Sequence, residues 1–330
     1  MADTDNNHLK NIVVVGASGN VGASVLKHLL STNRFNITII SRTDSKATFP
    51  SHPSISVKRG SYDDPAFLSF AFSGQDAIIF ALGFLATGEQ PKLISAAAKV
   101  GVRWIIPNEY AGDGTNKAMM DAVLMFWPKR EVRKQIEDLA AEGKDVKWIG
   151  IATNPWTEFS MQMGMFGINI HERRVTLYDD AGSFNTSTLE QVGKGIAALL
   201  SLPISNPSNT RASLEHYANN FVYVSSFLTT QRELFEAIRR ATGTTSADWT
   251  IEKSSIFGPG GKIEVAEEGV RKGDMIASGG LTYAYYMGEG LGGNYEEKAR
   301  EDRKVLDLQE DNLDVLMREV VRMPKPVPLT

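Results

Sequence analysis

The chain has 330 residues, with 35 Lys and Arg against 39 Asp and Glu for a formal charge of -4, and it contains no cysteine. That length sustains one large core or two unequal ones without covalent staples, and the near-balance of charge offers no basic field for nucleic acid or an anionic membrane. Lack of cysteine excludes disulfides, thiolate nucleophiles and cysteine-ligated zinc together, so the expectation is a cytoplasmic protein that binds neither nucleic acid nor membrane.

Met1 to Lys10 is polar, without an apolar stretch, and reads as a frayed arm. The longest apolar run, Ala77 to Ala86, falls far short of the ~18 residues that a membrane span requires. From Asn11 onward, β-rich runs alternate with amphipathic helical stretches. Strands are expected at Ile12 to Val15, Phe35 to Ser41, Ile55 to Lys58, Ala77 to Leu82, Val102 to Ile106 and Val146 to Ile151. The first is apolar at every position, as a central strand covered on both faces must be. The helix after it carries Val21, Val25 and Leu29 on one face. Asp64-Pro65 pairs an N-cap with a helix-opening proline, Gly74 follows the end of that helix, and Gly101 and Gly143 stop later ones.

This alternation specifies an α/β fold: a doubly wound parallel sheet, the Rossmann arrangement, with a smaller C-terminal α/β substrate domain. The expected division is residues 1–155 for the nucleotide-binding part, borrowing from 188–226, and 156–330 for the substrate-binding part. In the second half, Thr188-x-x-Gln191 and Thr230-x-x-Glu233 are capping-box signatures. Strands are expected at Val175 to Tyr178, Phe221 to Ser225 and Trp249 to Ile251, and helices near Ile263 to Val270 and Leu313 to Arg322. Pro324, Pro326 and Pro328 forbid further helix. Six glycines between Gly279 and Gly293 indicate a mobile loop or a tight backbone crossing.

Several chemistries lack support. The five histidines have no metal-ligand spacing, so no metal site is expected. G-x-S-x-G is missing, and Gly258-Pro-Gly-Gly-Lys262 lacks both the Walker spacing and its Ser or Thr. What remains is Gly16-Ala-Ser18-Gly19-Asn20-Val21-Gly22, placed where the first strand turns into a helix. Glycines there let the backbone approach a pyrophosphate, and the exposed N–H groups of the helix end attract it. The competing reading is a glycine turn needed only for helix-to-sheet packing. Arg42, at the end of the second strand, replaces the acid that would hold a ribose 2′-hydroxyl. With Lys46 it favours a 2′-phosphate and hence NADP(H), the alternative being a solvated arginine. The same cofactor path takes in Ser61 and Tyr62, then Ala81, Leu82 and Gly83, then Asn108, Lys129, Asn154 and Pro155.

No tyrosine satisfies Tyr-x-x-x-Lys. Lys129, beside Pro128 in the first turn of a helix, is the catalytic candidate: a cation there opposes the helix dipole, which depresses its pKa towards a useful range. Arg130 in the same turn reads as solvated. Tyr110, Trp156, Thr157, Phe159 and Met163 are weaker candidates for the substrate wall. Met161, Met165, Phe166, Met125, Phe126 and Trp127 carry the same ambiguity between an adaptable apolar pocket and ordinary core filling. His171 reads as a loop histidine, and Glu109 either orients Lys129 or faces solvent.

The set of Gly16-x-x-Gly19-x-x-Gly22, Arg42, Pro107-Asn108-Glu109-Tyr110 with Asp113, and Lys129-x-x-x-Arg133 resembles the NmrA-like, isoflavone-reductase-like group of atypical short-chain dehydrogenases. In style it is similar to fungal CipA-like members. The resemblance runs from about Ile12 to Leu202. It implies an NADPH-dependent oxidoreductase acting on a small aromatic or conjugated substrate, in secondary metabolism, with Lys129 as the catalytic amine. It leaves open a sensor that binds NADP and a protein partner without turnover, or a redox-neutral step on the same scaffold. The family segment usually reads P-S-E-F-G; this chain has Pro107-Asn-Glu-Tyr-Ala111.

Overall fold

The computed structural model describes residues 7–324, so Pro326 and Pro328 lie outside the described residues. Strand β1 (Asn11–Val15) leads through the glycine turn into α1 (Asn20–Ser31). Then come β2 (Asn36–Arg42), β3 (Ile55–Gly60), α2 (Pro65–Phe72), β4 (Ala77–Phe80), α3 (Gln90–Lys99) and β5 (Trp104–Ile106). Short helix α4 (Lys117–Ala122) precedes α5 (Trp127–Ala141) and β6 (Lys147–Ala152). The second half comprises α6 (Thr157–Gln162), β7 (Ile168–Asn169), β8 (Arg174–Tyr178), β9 (Ser183–Thr186), α7 (Leu189–Ser201), β10 (Asn220–Tyr223) and β11 (Phe227–Thr230). It closes with α8 (Gln231–Thr242), β12 (Thr250–Ser254), α9 (Lys262–Arg271), α10 (Met275–Met287), α11 (Glu296–Val305) and α12 (Leu313–Arg322).

The main sheet has seven strands in the order β10-β6-β5-β4-β1-β2-β3, and every pairing in it is parallel. Pleating explains the uninterrupted apolar character of β1: Ile12 and Val14 enter the core under α1 and α7, while Val13 and Val15 enter the one under α2, α3 and α5. Each such side chain, fully buried, contributes about 1.5–3 kcal/mol of apolar transfer.

The seventh strand, β10, comes from beyond residue 156 and extends the sheet past β6. Helix α7 lies against α1 at a close crossing: a Cβ on Gly193 would sit 2.3 Å from Ser24 Oγ, and that hydroxyl donates to the Leu189 carbonyl at 2.6 Å. A separate core is formed around α4, α6, α8, α10 and α12 with two small sheets, β12-β8-β7 and β11-β9. Among the described residues, no helix is long and apolar enough to cross a membrane.

Three details differ from the sequence reading. Residues 7–10 are tied down: Leu9 is buried, and the Asn7 amide exchanges hydrogen bonds with the Ser205 backbone at 2.9 and 3.0 Å. Thr188 caps α7 through the Gln191 N–H, but the Gln191 side chain reaches Gln309 instead of closing the box, whereas Thr230 and Glu233 form the reciprocal pair. Gly279 and Gly280 lie inside α10, where packing overrides their low helix propensity. The later glycines make the tight crossing: a Cβ on Gly293 would lie 1.8 Å from the Tyr286 carbonyl.

Candidate active site

The glycine turn separates its two explanations residue by residue. Gly16 has φ +87°, and a Cβ there would fall 2.2 Å from the Ala81 carbonyl; one on Gly22 would fall 2.1 Å from the Gly16 carbonyl. Both are required by the fold itself. Gly19 is not: its Cβ would meet backbone at 3.4 and 3.5 Å, ordinary contacts. As N-cap of α1 it also offers no side chain to the first N–H groups, and the first turn has no acidic residue. A long helix thus presents the N–H groups of Asn20, Val21 and Gly22 without a protein anion, beside exposed Ser18. That arrangement fits a dinucleotide pyrophosphate.

Arg42 ends β2 with its side chain 65% exposed and its nearest acid, Asp44 Oδ1, 3.7 Å from Nε. Lys46 is exposed in the following loop. Arg59 of β3, which the sequence reading missed, orders that loop by donating to the Ser45 and Ala47 carbonyls at 2.8 and 2.6 Å. Ser61 is exposed and holds its own turn through the Asp63 N–H. The buried Tyr62 phenol reaches the Ile40 carbonyl, and burial pushes its pKa up to about 12. Ala81 continues β4 by donating to the Val15 carbonyl, and Gly83 is open, with nothing within 4 Å of a notional Cβ.

Asn108 departs from the family serine, and the structure gives it a specific task. Its amide grips the Leu82 backbone from both sides, accepting from N–H and donating to C=O at 3.0 Å each. Its own N–H donates to Gln90 Oε1 at 2.9 Å. The side chain therefore joins the ends of β4 and β5, and its backbone carbonyl remains available. Lys129 Nζ donates to that carbonyl and to the Glu109 carbonyl, each at 2.5 Å. Tyr110 follows with φ +25°, a backbone conformation costing about 1–3 kcal/mol, beside these two lysine-bound carbonyls.

Burial is the principal reason the Lys129 pKa is lowered. The Arg133 guanidinium lowers it further, and the Glu109 carboxylate opposes them. The helix end invoked from the sequence is thus not the leading cause. Glu109 does not face solvent: it is 3% exposed and pairs with Arg133 Nη1 at 2.5 Å. That guanidinium lies over the rings of Trp148 and Phe221, 5.6 and 5.2 Å from their centroids. Lys129 and Arg133, one turn apart on α5, therefore hold opposite ends of the same residue, its carbonyl and its carboxylate. Arg130 turns away to Asp121.

Other candidates are placed less directly. The Tyr110 phenol is buried without a hydrogen-bond partner among the described residues. Asn154 spends its amide N–H groups on the Asn185 and Gly293 carbonyls, so it ties the glycine crossing to the end of β6. Pro155 is buried, and its carbonyl accepts from Thr186. Thr157 is fully buried, its hydroxyl paired with that of Thr186 at 3.0 Å. Trp156 and Phe159 meet edge-to-face at 5.9 Å, both half-buried. Met163 and Met165 are also half-buried, whereas Met161 and Phe166 are core. His171 bonds Gln162, whose amide reaches the Val320 carbonyl of α12.

The NmrA-like family model matches residues 8–153, which span the glycine turn, Arg42, the Asn108 clamp and Lys129. Over those residues the chain is similar to the NmrA-like family. The chain is 29% identical over 313 residues to oxidoreductase aprR of Aspergillus flavus, covering 94% of itself and 98% of that protein. It is likewise 29% identical to oxidoreductase poxI of Penicillium oxalicum, covering 72% and 71%. In fold it is similar to a crystal structure of isoflavone reductase, with TM-score 0.70 at 18% identity, covering 94% of this chain and 99% of that one. The structure of AtPrR2 with NADP+ and (+)pinoresinol also gives TM-score 0.70, at 16% identity over 95% and 99%.

Proposed function

We propose that this chain is a member of the NmrA-like family and an NADPH-dependent reductase of a small aromatic or conjugated compound, working in the cytoplasm. The observation that carries the reading is the Lys129 amine, desolvated and anchored on two carbonyls at the strand ends where a doubly wound sheet binds its ligand. Support for the nucleotide comes from the uncapped helix beside Gly19 and from the exposed Arg42 guanidinium. The relatives named oxidoreductases, and the neighbour holding NADP+, agree with it.

In this site Gly19, Asn20, Val21 and Gly22 would hold the pyrophosphate, Arg42 and Lys46 the 2′-phosphate, and the bound dihydronicotinamide supplies a hydride. Lys129 manages the matching proton. As an ammonium it has three N–H donors, of which two are committed to the Asn108 and Glu109 carbonyls, leaving one for the substrate oxygen. After that proton is given up, two N–H groups remain and both carbonyls stay satisfied, so the amine changes charge without changing place. Its lowered pKa makes the transfer easier than from an ordinary lysine.

The test combines binding and turnover. NADPH binds at least about tenfold more tightly than NADH, and Arg42→Ala removes most of that preference. Lys129→Ala retains the fold and NADPH binding but loses NADPH oxidation against a panel of phenolic ethers, isoflavones and enones. Equal affinity for the two nucleotides refutes the role of Arg42, and silence of the wild type across the panel moves the reading to a nucleotide-binding sensor.

A further inference from the structure

Met125 and Met165 come from distant parts of the sequence but meet the same helix. Residues Leu124–Phe126 form a single turn that runs directly into α5. Met125, in that 3₁₀ turn, precedes Lys129 by four residues, so the two stand on adjoining turns where the helical run begins. Its sulfur lies 3.7 Å from Thr282 Oγ1 of α10, whose hydroxyl also reaches the Ser278 carbonyl at 2.9 Å. Three residues earlier on α10, and so on the same face, Gly279 presents bare backbone. A Cβ placed there would meet only the Met165 methyl, at 3.8 Å. Beyond Gly279 the rim is apolar and open, with Ile276 86% exposed and Met125 36% exposed.

The geometry points to a slot for the planar ring of the substrate, bounded by Met125 and Met165, floored by Gly279 and opening towards Lys129. Thioethers suit such walls because they are unbranched, adaptable and make favourable sulfur–aromatic contacts. Gly279 is the size-determining residue: a side chain at this helical position would occupy the slot without disturbing the fold, since it meets open space and glycine is a poor helix former. Gly280, next to it, instead faces Ala266 of α9 and has no part in the slot. This inference rests on the reductase reading for the identity of the ligand, but the slot can be tested without turnover.

The experiment uses full-length protein labelled at the methionine methyl groups, saturated with NADP+ and titrated with 2-naphthol as an aromatic phenol. Met125→Leu and Met165→Leu assign the two resonances. Ring-current shifts of both methyls on titration support the slot, as does a loss of naphthol affinity of about tenfold or more in Gly279→Leu with Gly280→Ala unchanged. Methyls that stay unmoved up to millimolar naphthol, or Gly279→Leu binding like wild type, overturn it. Naphthol seated between the methyls while no panel compound is reduced leaves the slot standing and refutes the reductase. Reduction of enones with silent methyls does the reverse.

Discussion

Neutralising Glu109 gives the sharpest test of how the amine is held. In Glu109→Gln the shape is kept, but the Arg133 guanidinium loses its carboxylate partner at 2.5 Å, in a place where the two side chains are only 9% and 3% exposed. The rings of Trp148 and Phe221 stabilise that cation only in part. Breaking a buried pair from one side costs about 3 kcal/mol or more, which for a chain of this size lowers Tm by roughly 4 °C. Arg133→Met strands the carboxylate and costs a similar amount. The double variant removes both charges and recovers much of the loss, so thermal unfolding followed by circular dichroism should give a coupling energy of about 2 kcal/mol or more. The pH profile of turnover supplies a second readout. Removing Glu109, which favours the Lys129 ammonium, moves the limb that requires that ammonium to lower pH, whereas removing Arg133, which disfavours it, moves the limb up. Single effects that simply add, within about 0.5 kcal/mol, or limbs that move the same way, refute the reasoning.

Two further outcomes follow from the same geometry. Gly19→Ala melts like wild type but binds NADPH about tenfold more weakly by fluorescence titration, whereas Gly16→Ala, with its Cβ driven to 2.2 Å from the Ala81 carbonyl, fails to give a stable fold; an indifferent Gly19→Ala would remove the case for ligand contact at the turn. Burial holds the Lys129 pKa below its ordinary 10.5, so between that lowered value and 10.5 the unfolded chain carries the extra proton and stability rises with pH. Measured against Lys129→Met, the wild type therefore gains stability on going from about pH 7 to about pH 10, and a gap that stays constant contradicts the desolvated amine.

The sheet was legible because its strands are covered on both faces and announce themselves as short apolar runs: β1, β2, β4 and β6 fall within a residue or two of their expected positions. The glycine turn was legible because a strand, a turn and a helix follow one another in the chain. Elements of the second half were hidden for an identifiable reason. β7 has only two residues, and β9 and β11 pair only with partners distant in sequence. α10 contains consecutive glycines that local propensity rejects, and the helix is held by close packing on α9, where a Cβ on Gly269 would lie 2.4 Å from that of Ala277. The partner of Glu109 was readable in principle from Lys129-x-x-x-Arg133, but nothing local revealed that one residue would accept from both cations. The bidentate grip of Asn108 on Leu82 required knowing that the ends of β4 and β5 are neighbours.

The crossing at Gly193 makes the two halves of the polypeptide inseparable. The helix that offers its end to an anion leans on α7, and the sheet edge beside β6 is sealed by β10, so residues 189–224 complete a core begun before residue 152. A fragment stopping near Pro155 would leave Val21, Val25 and Leu29 facing water and a strand edge open to self-association. Ribosomal synthesis must therefore bring out well over half of the chain before its first core can close, and an intact nucleotide cradle reports on residues far downstream of those that line it.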